Sequence, residues 1–296
     1  MKNMVVRALT GVVFLAVMIG GILHSPASFG VLFTVITAFS VWEFTGIMNM
    51  RADVDVNRFI TTVAGSCLFV AFFGYAAGIP GGVLLFMPWL LSMIYLLVAE
   101  LYLHRESPLN NWAYSMMAQI YVALPFALLS LVEFIKLNGT SAPGTAVGSV
   151  GAWLVLAIYV FLWTNDTGAY CVGSLLGRHK LFPRVSPGKS WEGSIGGGLL
   201  TVGVALLIAF LGPKSQTDGA AAATLGLSAL QWVGFALTVV VFGTWGDLIE
   251  SLLKRQMGIK DSGNILPGHG GMLDRFDSSL LAIPAAVVYL YMAVLL

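Results

Sequence analysis

Residues 193–212 read Gly-Ser-Ile-Gly-Gly-Gly-Leu-Leu-Thr-Val-Gly-Val-Ala-Leu-Leu-Ile-Ala-Phe-Leu-Gly and contain no charged side chain. A helix needs about 20 mostly apolar residues to cross the hydrocarbon core of a bilayer, so this run is long enough to span a membrane. The whole chain is similar: 58% of its 296 residues are hydrophobic and 10% are charged, whereas soluble domains are roughly 25% charged. The sequence therefore predicts an integral membrane protein and excludes an ordinary soluble domain.

Eight further apolar runs accompany this one. The nine predicted spans are 5–23, 29–49, 59–78, 82–103, 113–135, 150–172, 193–212, 223–250 and 278–296. They are too long and too continuously apolar for barrel strands, so the predicted fold is all-α, with about nine transmembrane helices. The first run follows Lys2 and Arg7 as in a signal peptide. No small-residue cleavage site leads into a polar chain after it, so we expect a retained helix.

The distribution of Lys and Arg predicts how these helices are oriented. With nine spans, the N-terminus and the loops near 50–58, 104–112, 173–192 and 251–277 share one side. That side receives 13 of the 15 basic residues, all except Lys136 and Lys214. Because basic loops stay in the cytoplasm, we expect the N-terminus and both long polar loops to be cytoplasmic and the C-terminus to lie on the outer side of the cell (inner) membrane.

The charged residues also divide the chain into two parts. We expect residues 1–148, with about five spans and short loops, to be a scaffold. Residues 149–296, with about four spans and two long cytoplasmic loops, carry 17 of the 29 charged residues and are expected to hold the chemistry. No separate soluble domain is predicted. A net charge of +1 gives no field that would attract nucleic acid, so no such partner is expected.

The segment 243–277 concentrates charge within this apolar chain. It holds nine charged residues, namely Asp247, Glu250, Lys254, Arg255, Lys260, Asp261, Asp274, Arg275 and Asp277. Asp247, Glu250, Ser251 and Lys254 have helical spacing, so they share one helix face. Ionisable groups within a span are costly unless they face a cavity or a partner. We therefore expect this face to bind a cation at the membrane boundary, with a solvated helix end as the alternative.

The loop that follows combines glycine, proline and basic residues. Residues 260–271 read Lys-Asp-Ser-Gly-Asn-Ile-Leu-Pro-Gly-His-Gly-Gly, which forbids a regular helix. Such a loop lets backbone N–H groups approach an anion, and flanking cations can neutralise phosphates. A flexible connector is the alternative. Asp274 and Asp277 follow at a spacing of three, and carboxylates acting with phosphates commonly hold Mg²⁺.

Polar residues in three other places invite a functional interpretation. Asn165 and Asp166 are polar residues in an otherwise uncharged sixth span, where hydrogen bonding to a neighbouring helix is the alternative role. Residues 186–193, Ser-Pro-Gly-Lys-Ser-Trp-Glu-Gly, suit a phosphate or nucleotide, or form an ordinary basic loop. They are not a P-loop, because Pro183 stands where that motif needs glycine. Glu43, in the second span, lies either in the site or near its mouth.

Residues 251–277 resemble the signature of the phosphatidate cytidylyltransferases (CDP-diacylglycerol synthases). The matching positions are Ser251, Leu253, Lys254, Arg255, Lys260, Asp261, Gly263, Leu266, Pro267, His269, Gly270, Gly271, Met272, Asp274, Arg275, Phe276 and Asp277. Asp166 and the 186–193 run are similar to the same family, although Gly188 stands where a second lysine is expected. The resemblance covers the second half of the chain, whereas the first half matches only in having several spans.

This resemblance implies that CTP and phosphatidate, a membrane lipid, react to give CDP-diacylglycerol and pyrophosphate. It implies Mg²⁺ as cofactor, with a second cation left open, and Asp166, Asp247 and Asp274 as the candidate metal ligands. The candidate catalytic residues are Asp166, Asp247, Lys260, Asp261 and Asp274. The candidate substrate-binding residues are Lys189, Ser190, Glu192, Ser251, Lys254, Arg255, His269, Gly270, Gly271, Arg275 and Asp277.

Two other functions were weighed against this one. A CTP-dependent polyprenol or phytol kinase would share the nucleotide and the membrane setting, but would transfer the γ-phosphoryl group to a lipid alcohol. A transporter predicts charges spread through the spans and inverted repeats, whereas here the charges gather on one side and no repeat is found. The sequence leaves acyl-chain preference and oligomeric state open, a homodimer included.

Overall fold

The computed structural model describes residues 2–135, 149–212, 224–263, 265 and 270–295. Of the residues that the structure describes, 78% are helical. Within the described residues, eight helical segments are long and apolar enough to cross a membrane, namely Pro26–Met48, Arg58–Ala76, Gly82–Leu103, Pro108–Glu133, Val150–Leu176, Trp191–Leu211, Ala229–Gln256 and Leu273–Ala293. The first predicted span is also helical, and its apolar part is Leu9–Leu23. The predicted all-α membrane fold is confirmed, while the side that each terminus faces stays a prediction.

The described residues form helices and one short hairpin. The helices are α1 Lys2–Leu23, α2 Pro26–Met48, α3 Arg58–Ala76, α4 Phe86–Leu103, α5 Pro108–Met117, α6 Leu124–Glu133, α7 Val150–Leu176, α8 Trp191–Leu211, α9 Ala229–Gln256, α10 Leu273–Phe276 and α11 Ser279–Leu295. A 3₁₀ turn, Gly82–Leu85, precedes α4, and a π-helical turn, Ala118–Ala123, joins α5 to α6. Lys136, Lys214 and His269 lie outside the described residues.

The boundaries of α9 differ from the predicted span 223–250. Ser228 Oγ accepts a hydrogen bond from Gln231 N, and Gln231 Oε1 accepts one from Ser228 N. This capping box starts the helix at Ala229. The helix then continues to Gln256, with Lys254 and Arg255 in its last turn, where cations are favourable. The first residues of the predicted loop 251–277 are therefore helical, because polarity on one face does not end a helix.

The predicted loop 173–192 also contains regular structure. Strand β1 (Lys180–Phe182) pairs antiparallel with strand β2 (Ser186–Ser190). Glu192 closes this hairpin onto α8, since its carboxylate accepts hydrogen bonds from the backbone N–H groups of Arg178 and His179. A short hairpin has little sequence signal of its own. It matters here because it fixes where Lys189 points.

Helices α7 and α8 pack closely through small residues. A Cβ placed on Gly197 would lie 2.5 Å from the carbonyl oxygen of Asn165, so only glycine fits there. Small residues at helix contacts allow such close approach in membrane proteins. This contact fixes the turn of α7 that carries Asp166 against the start of α8.

An aromatic core anchors the segment 273–277. Phe276 is buried and packs edge-on against Phe126 of α6 and Tyr159 of α7, with ring centroids 5.5 Å and 6.0 Å apart. Phe14 of α1 packs on the same ring at 5.9 Å. The residues on either side of Phe276 are therefore held between three helices.

Polar contacts gather at one end of the helix bundle. Here the "loop cluster" comprises Arg51, Asp53, Asp55, Glu100, Arg105 and Asn111. Arg105 bridges Asp55 and Glu100 at 2.9 Å and 2.8 Å, and thereby joins the loop after α2 to the end of α4. Because successive helices alternate in direction, the hairpin and the end of α9 lie at the same end.

Candidate active site

A cavity of about 380 Å³, here called the aspartate cavity, lies between α1, α7, α9 and the segment 274–277. Its polar lining consists of Asp166, Asp247, Asp274, Arg275 and Asp277. Its remaining lining comes from Thr10, Gly11, Phe14 and Leu15 of α1 and from Trp163 of α7. The structure thus brings together carboxylates from three separate segments, including all three predicted metal ligands.

Asp247 lies where α9 faces this cavity. Its Oδ2 forms an ion pair with Nζ of Lys189 at 2.5 Å, and its Oδ1 accepts a hydrogen bond from Ser251 Oγ at 3.1 Å. Lys189 is on β2, so the hairpin reaches into the site. The contact between Asp247 and Ser251 agrees with the predicted shared helix face.

Glu250 and Lys254 lie deeper on the same face. Glu250 is fully buried, and Nζ of Lys254 lies 2.5 Å from its Oε2 and 2.8 Å from Oδ1 of Asp274. Glu250 Oε1 has no hydrogen-bond partner in the part of the chain that the structure describes. Removing one partner of a buried charge group costs about 3–5 kcal/mol, so Lys254 stabilises both carboxylates.

Asp274 is held by the glycine-rich loop as well as by Lys254. Its Oδ2 accepts hydrogen bonds from the backbone N–H groups of Ser262 and Gly271, each at 2.8 Å. Gly270 has a φ of +83°, a conformation that favours glycine, and a Cβ there would lie 2.6 Å from Asp274. The glycines therefore let the loop fold onto the carboxylate.

Glu43 of α2 binds the other side of this loop. It is buried, and it accepts hydrogen bonds from the backbone N–H groups of Met272 and Leu273 and from Ser262 Oγ. The sequence left open whether Glu43 lies in the site, and the structure places it behind the site. Its only sequence signal was a lone carboxylate inside an apolar span.

Ser190 and Glu192 organise the start of α8. Ser190 Oγ accepts a hydrogen bond from Gly193 N at 3.2 Å and caps the helix. Glu192 Oε1 lies 2.5 Å from Nδ1 of His179, a pairing with no local sequence pattern. Neither Ser190 nor Glu192 lines the aspartate cavity, so their predicted contact with substrate stays a prediction.

Asp166 and Asp277 are the least constrained carboxylates of the cavity. Neither forms an ion pair with any residue that the structure describes. Asp277 Oδ1 accepts a hydrogen bond from Ser278 N at 2.6 Å. Asn165, beside Asp166, is buried, and no partner for its Oδ1 is found among the described residues.

Several predicted residues lie at the margin of the site. Arg255, Lys260 and Asp261 are exposed and do not line the aspartate cavity. Gly270 and Gly271 lie in the loop that holds Asp274. His269 lies outside the described residues.

The cavity was compared with the requirements of the predicted Mg²⁺. Its carboxylate oxygens are the ligands that Mg²⁺ prefers. In the described ranges, no group of three or more His, Cys, Asp or Glu side chains has metal-binding spacing. Lys189 and Lys254 instead pair with Asp247 and Asp274. The donor chemistry therefore fits Mg²⁺, and two of the three candidate ligands, Asp247 and Asp274, are each paired with a lysine in this structure.

Comparisons with known proteins agree with the sequence signature. A family model described as the cytidylyltransferase family matches residues 5–294. The phosphatidate cytidylyltransferase of Haemophilus influenzae is 30% identical over 286 residues, which cover 94% of this chain and 95% of that relative. Proteins of the same name are 35% identical over 184 residues in Staphylococcus haemolyticus (57% of this chain, 66% of the relative) and 32% over 213 residues in Staphylococcus saprophyticus (67% and 77%). The chain therefore belongs to the cytidylyltransferase family.

Proposed function

We propose that the protein transfers the cytidylyl group of CTP to phosphatidate and forms CDP-diacylglycerol and pyrophosphate. Family membership along nearly the whole chain supports this reaction class. The observation that carries the proposal is the aspartate cavity, in which the signature residues Asp274, Arg275 and Asp277 meet Asp166 and Asp247.

The lining of the cavity suits one water-soluble and one lipid reactant. Carboxylates and Arg275 are among its polar lining residues, and Phe14, Leu15 and Trp163 are among its apolar ones. Phosphatidate combines a charged phosphate with a hydrocarbon body, so it would contact both kinds of residue. CTP would enter from the polar end of the bundle, which we propose faces the cytoplasm of a cell (inner) membrane.

The proposed reaction requires little covalent catalysis by the protein. A phosphate oxygen of phosphatidate attacks the α-phosphorus of CTP, the bond from that phosphorus to the α–β bridging oxygen breaks, and pyrophosphate leaves. Such transfers depend mainly on positioning and on charge stabilisation. Since both reactants are anions, the first task of the site is to suppress their repulsion.

Basic residues of this chain are placed for that task. We assign Lys189, Lys254 and Arg275 to the reacting phosphates, because the lysines pair with cavity carboxylates and Arg275 lines the cavity. Incoming phosphate oxygens would compete for Lys189 and so release Asp247. Arg255 and Lys260, which are exposed, would meet the triphosphate as it approaches.

Three carboxylates of the cavity are proposed to hold the metal ion. Asp166, Asp247 and Asp274 would bind Mg²⁺ by their oxygens, with Asp277 lining the same cavity. When bound, Mg²⁺ would offset negative charge on the phosphates. The protein positions these carboxylates: α9 supplies Asp247, α7 supplies Asp166, and the glycine-rich loop fixes Asp274.

Product analysis tests this function. The purified protein is incubated with Mg²⁺, phosphatidate and CTP carrying the label on its α-phosphate. We expect label in the lipid product and release of one pyrophosphate for each labelled lipid. Label remaining in CDP, with the γ-phosphoryl group on an added polyprenol, would instead establish the kinase reaction, and absence of both products would refute a CTP-dependent transferase.

A further inference from the structure

We propose that Glu43 is a positioning residue: its carboxylate anchors the glycine-rich loop to α2 and thereby fixes Asp274 and Lys254 in the aspartate cavity. This inference rests on the proposed function, because it concerns the same site. Glu43 lies in the half of the chain predicted to be scaffold, and it does not line the cavity. It would therefore act through the loop and not by touching substrate.

Glu43 accepts hydrogen bonds from Ser262, in the glycine-rich loop 260–271, and from Met272 and Leu273 directly after it. Its Oε1 accepts from Met272 N at 2.9 Å, and its Oε2 accepts from Leu273 N at 2.8 Å and from Ser262 Oγ at 3.0 Å. Among the described residues it forms no ion pair with a basic side chain. A buried carboxylate needs such compensation. Its charge is thus satisfied only while the loop keeps this conformation.

Neighbouring groups of the same segment bind Asp274, a proposed metal ligand. Ser262 N and Gly271 N donate to Oδ2 of Asp274, and Asp274 N donates to Ser262 Oγ at 3.3 Å. Asp274 in turn accepts from Lys254. One residue, Ser262, therefore separates Glu43 from Asp274. A shift of the loop on the Glu43 side would move Asp274 on the cavity side.

Two signature glycines are explained by this anchor. A Cβ on Gly263 would lie 2.6 Å from Glu43 Oε1, and a Cβ on Gly271 would lie 2.4 Å from Glu43 Oε2. Both separations are shorter than real Cβ contacts, so side chains at these positions would push the carboxylate away. At Gly263 and Gly271, therefore, the absence of a side chain leaves room for the Glu43 carboxylate.

The substitution Glu43→Gln tests the proposal with little change in volume. The amide replaces one acceptor oxygen by an NH₂ group that would face N–H or O–H donors. Losing a hydrogen bond to a charged group, together with a small shift of Asp274, is expected to lower kcat by about 10- to 100-fold. We expect KM for CTP and for phosphatidate to change by less than about threefold, because the substrate contacts stay in place.

Glu100→Gln is the matched control. Glu100 is also a buried carboxylate, but it binds Arg105 and Asn111 in the loop cluster. If Glu43 only stabilised the fold, both variants would lose activity to a similar extent, in proportion to the amount of protein that fails to fold. We expect Glu100→Gln to keep the wild-type kcat per folded molecule. Equal kcat in Glu43→Gln and the wild type, or equal losses in both variants, would overturn the proposal.

Two further measurements keep the test decisive. Hydrogen exchange at the amides of Met272 and Leu273 is expected to be at least about tenfold faster in Glu43→Gln than in Glu100→Gln, whatever reaction the protein catalyses. Unchanged exchange would refute the anchor. If Glu43→Gln does not fold, Ser262→Ala removes one of the three bonds to Glu43 together with the bond from Asp274 N to Ser262 Oγ, and it should lower kcat by about fivefold, with wild-type kcat again counting against the anchor. A wild-type protein inactive on CTP and phosphatidate would refute the proposed function and leave the exchange test standing.

Discussion

The loop cluster and the aspartate cavity lie at the same end of the bundle and use charge differently. In the loop cluster each carboxylate has a partner: Arg51 binds Asp53, and Arg105 bridges Asp55 and Glu100. In the aspartate cavity, Asp166 and Asp277 form no ion pair with described residues. A carboxylate left without a cation beside a cavity favours the folded state less than a paired one does. We therefore propose that the loop cluster serves the fold and the cavity serves the chemistry.

Lysine placement sharpens this contrast. Lys189 and Lys254 neutralise Asp247 and Asp274 in a cavity that phosphate groups can enter. Arg105, in contrast, is fixed between two loops that need joining. We propose that ion pairs of the first kind are exchanged for substrate, whereas ion pairs of the second kind persist throughout turnover.

The largest expected effect comes from Asp247→Asn. We expect kcat to fall by about 1,000-fold with the melting temperature unchanged, because a group that stabilises charge at the reacting phosphates is lost while the amide keeps the shape. Steady-state release of pyrophosphate measures the rate, and thermal unfolding in detergent measures the fold.

Asp53→Asn is the matched control for this substitution. The hydrogen bond from the Arg51 guanidinium lowers the pKa of Asp53, so Asp53 is ionised at neutral pH and its substitution also removes one negative charge. Its activity should stay within about twofold of the wild type, since exposed ion pairs contribute little. Comparable losses in the two variants would remove the distinction between the cavity and the loop cluster.

A smaller loss is expected from Lys189→Met. This change deletes the cation that pairs with Asp247 but leaves the helices untouched, since Lys189 lies on the hairpin. We expect kcat/KM for CTP to fall by about 10- to 100-fold, because a charge-assisted contact with phosphate is lost. Arg184→Met, at an exposed position between β1 and β2, is the control. A Lys189 variant with unchanged kcat/KM would show that this lysine acts only on Asp247.

The smallest effect on turnover is expected from Arg105→Met. This substitution leaves the buried Glu100 without its cation and should lower the free energy of unfolding by about 2 kcal/mol. The rate per folded molecule should not change, because no residue of the aspartate cavity contacts Arg105. A large loss of rate at full folding would mean that the loop cluster also takes part in the reaction.

The sequence predicted the fold wherever the pattern was local. Apolar runs located the membrane helices, and the spacing of Asp247, Glu250, Ser251 and Lys254 predicted a shared face that the contacts bear out. The span was predicted to end near 250, with boundaries placed to within several residues, and α9 continues to Gln256. Hydropathy marks where apolar residues stop, whereas a helix ends where its hydrogen bonding stops.

Long-range contacts lay beyond such patterns. Glu43 binds Met272 and Leu273, more than two hundred positions away, and no periodicity connects them. The pairing of Lys189 with Asp247 depends on a hairpin, whereas the sequence predicted a basic loop suited to a phosphate or nucleotide and no strands. The sequence signature identified the segment 251–277, but Glu43, which binds that segment, lies on α2. The orientation in the membrane, the metal ligands and the oligomeric state stay predictions.

The most direct test measures pyrophosphate release per folded molecule and thermal unfolding on the same preparations of Asp247→Asn and Arg105→Met. The two substitutions remove charge from the aspartate cavity and from the loop cluster, respectively. We predict that Asp247→Asn loses turnover at an unchanged melting temperature, while Arg105→Met melts earlier and turns over at the wild-type rate per folded molecule. The reverse result, or equal losses of rate in both variants, would contradict the division between charges that support the fold and charges that carry out the reaction.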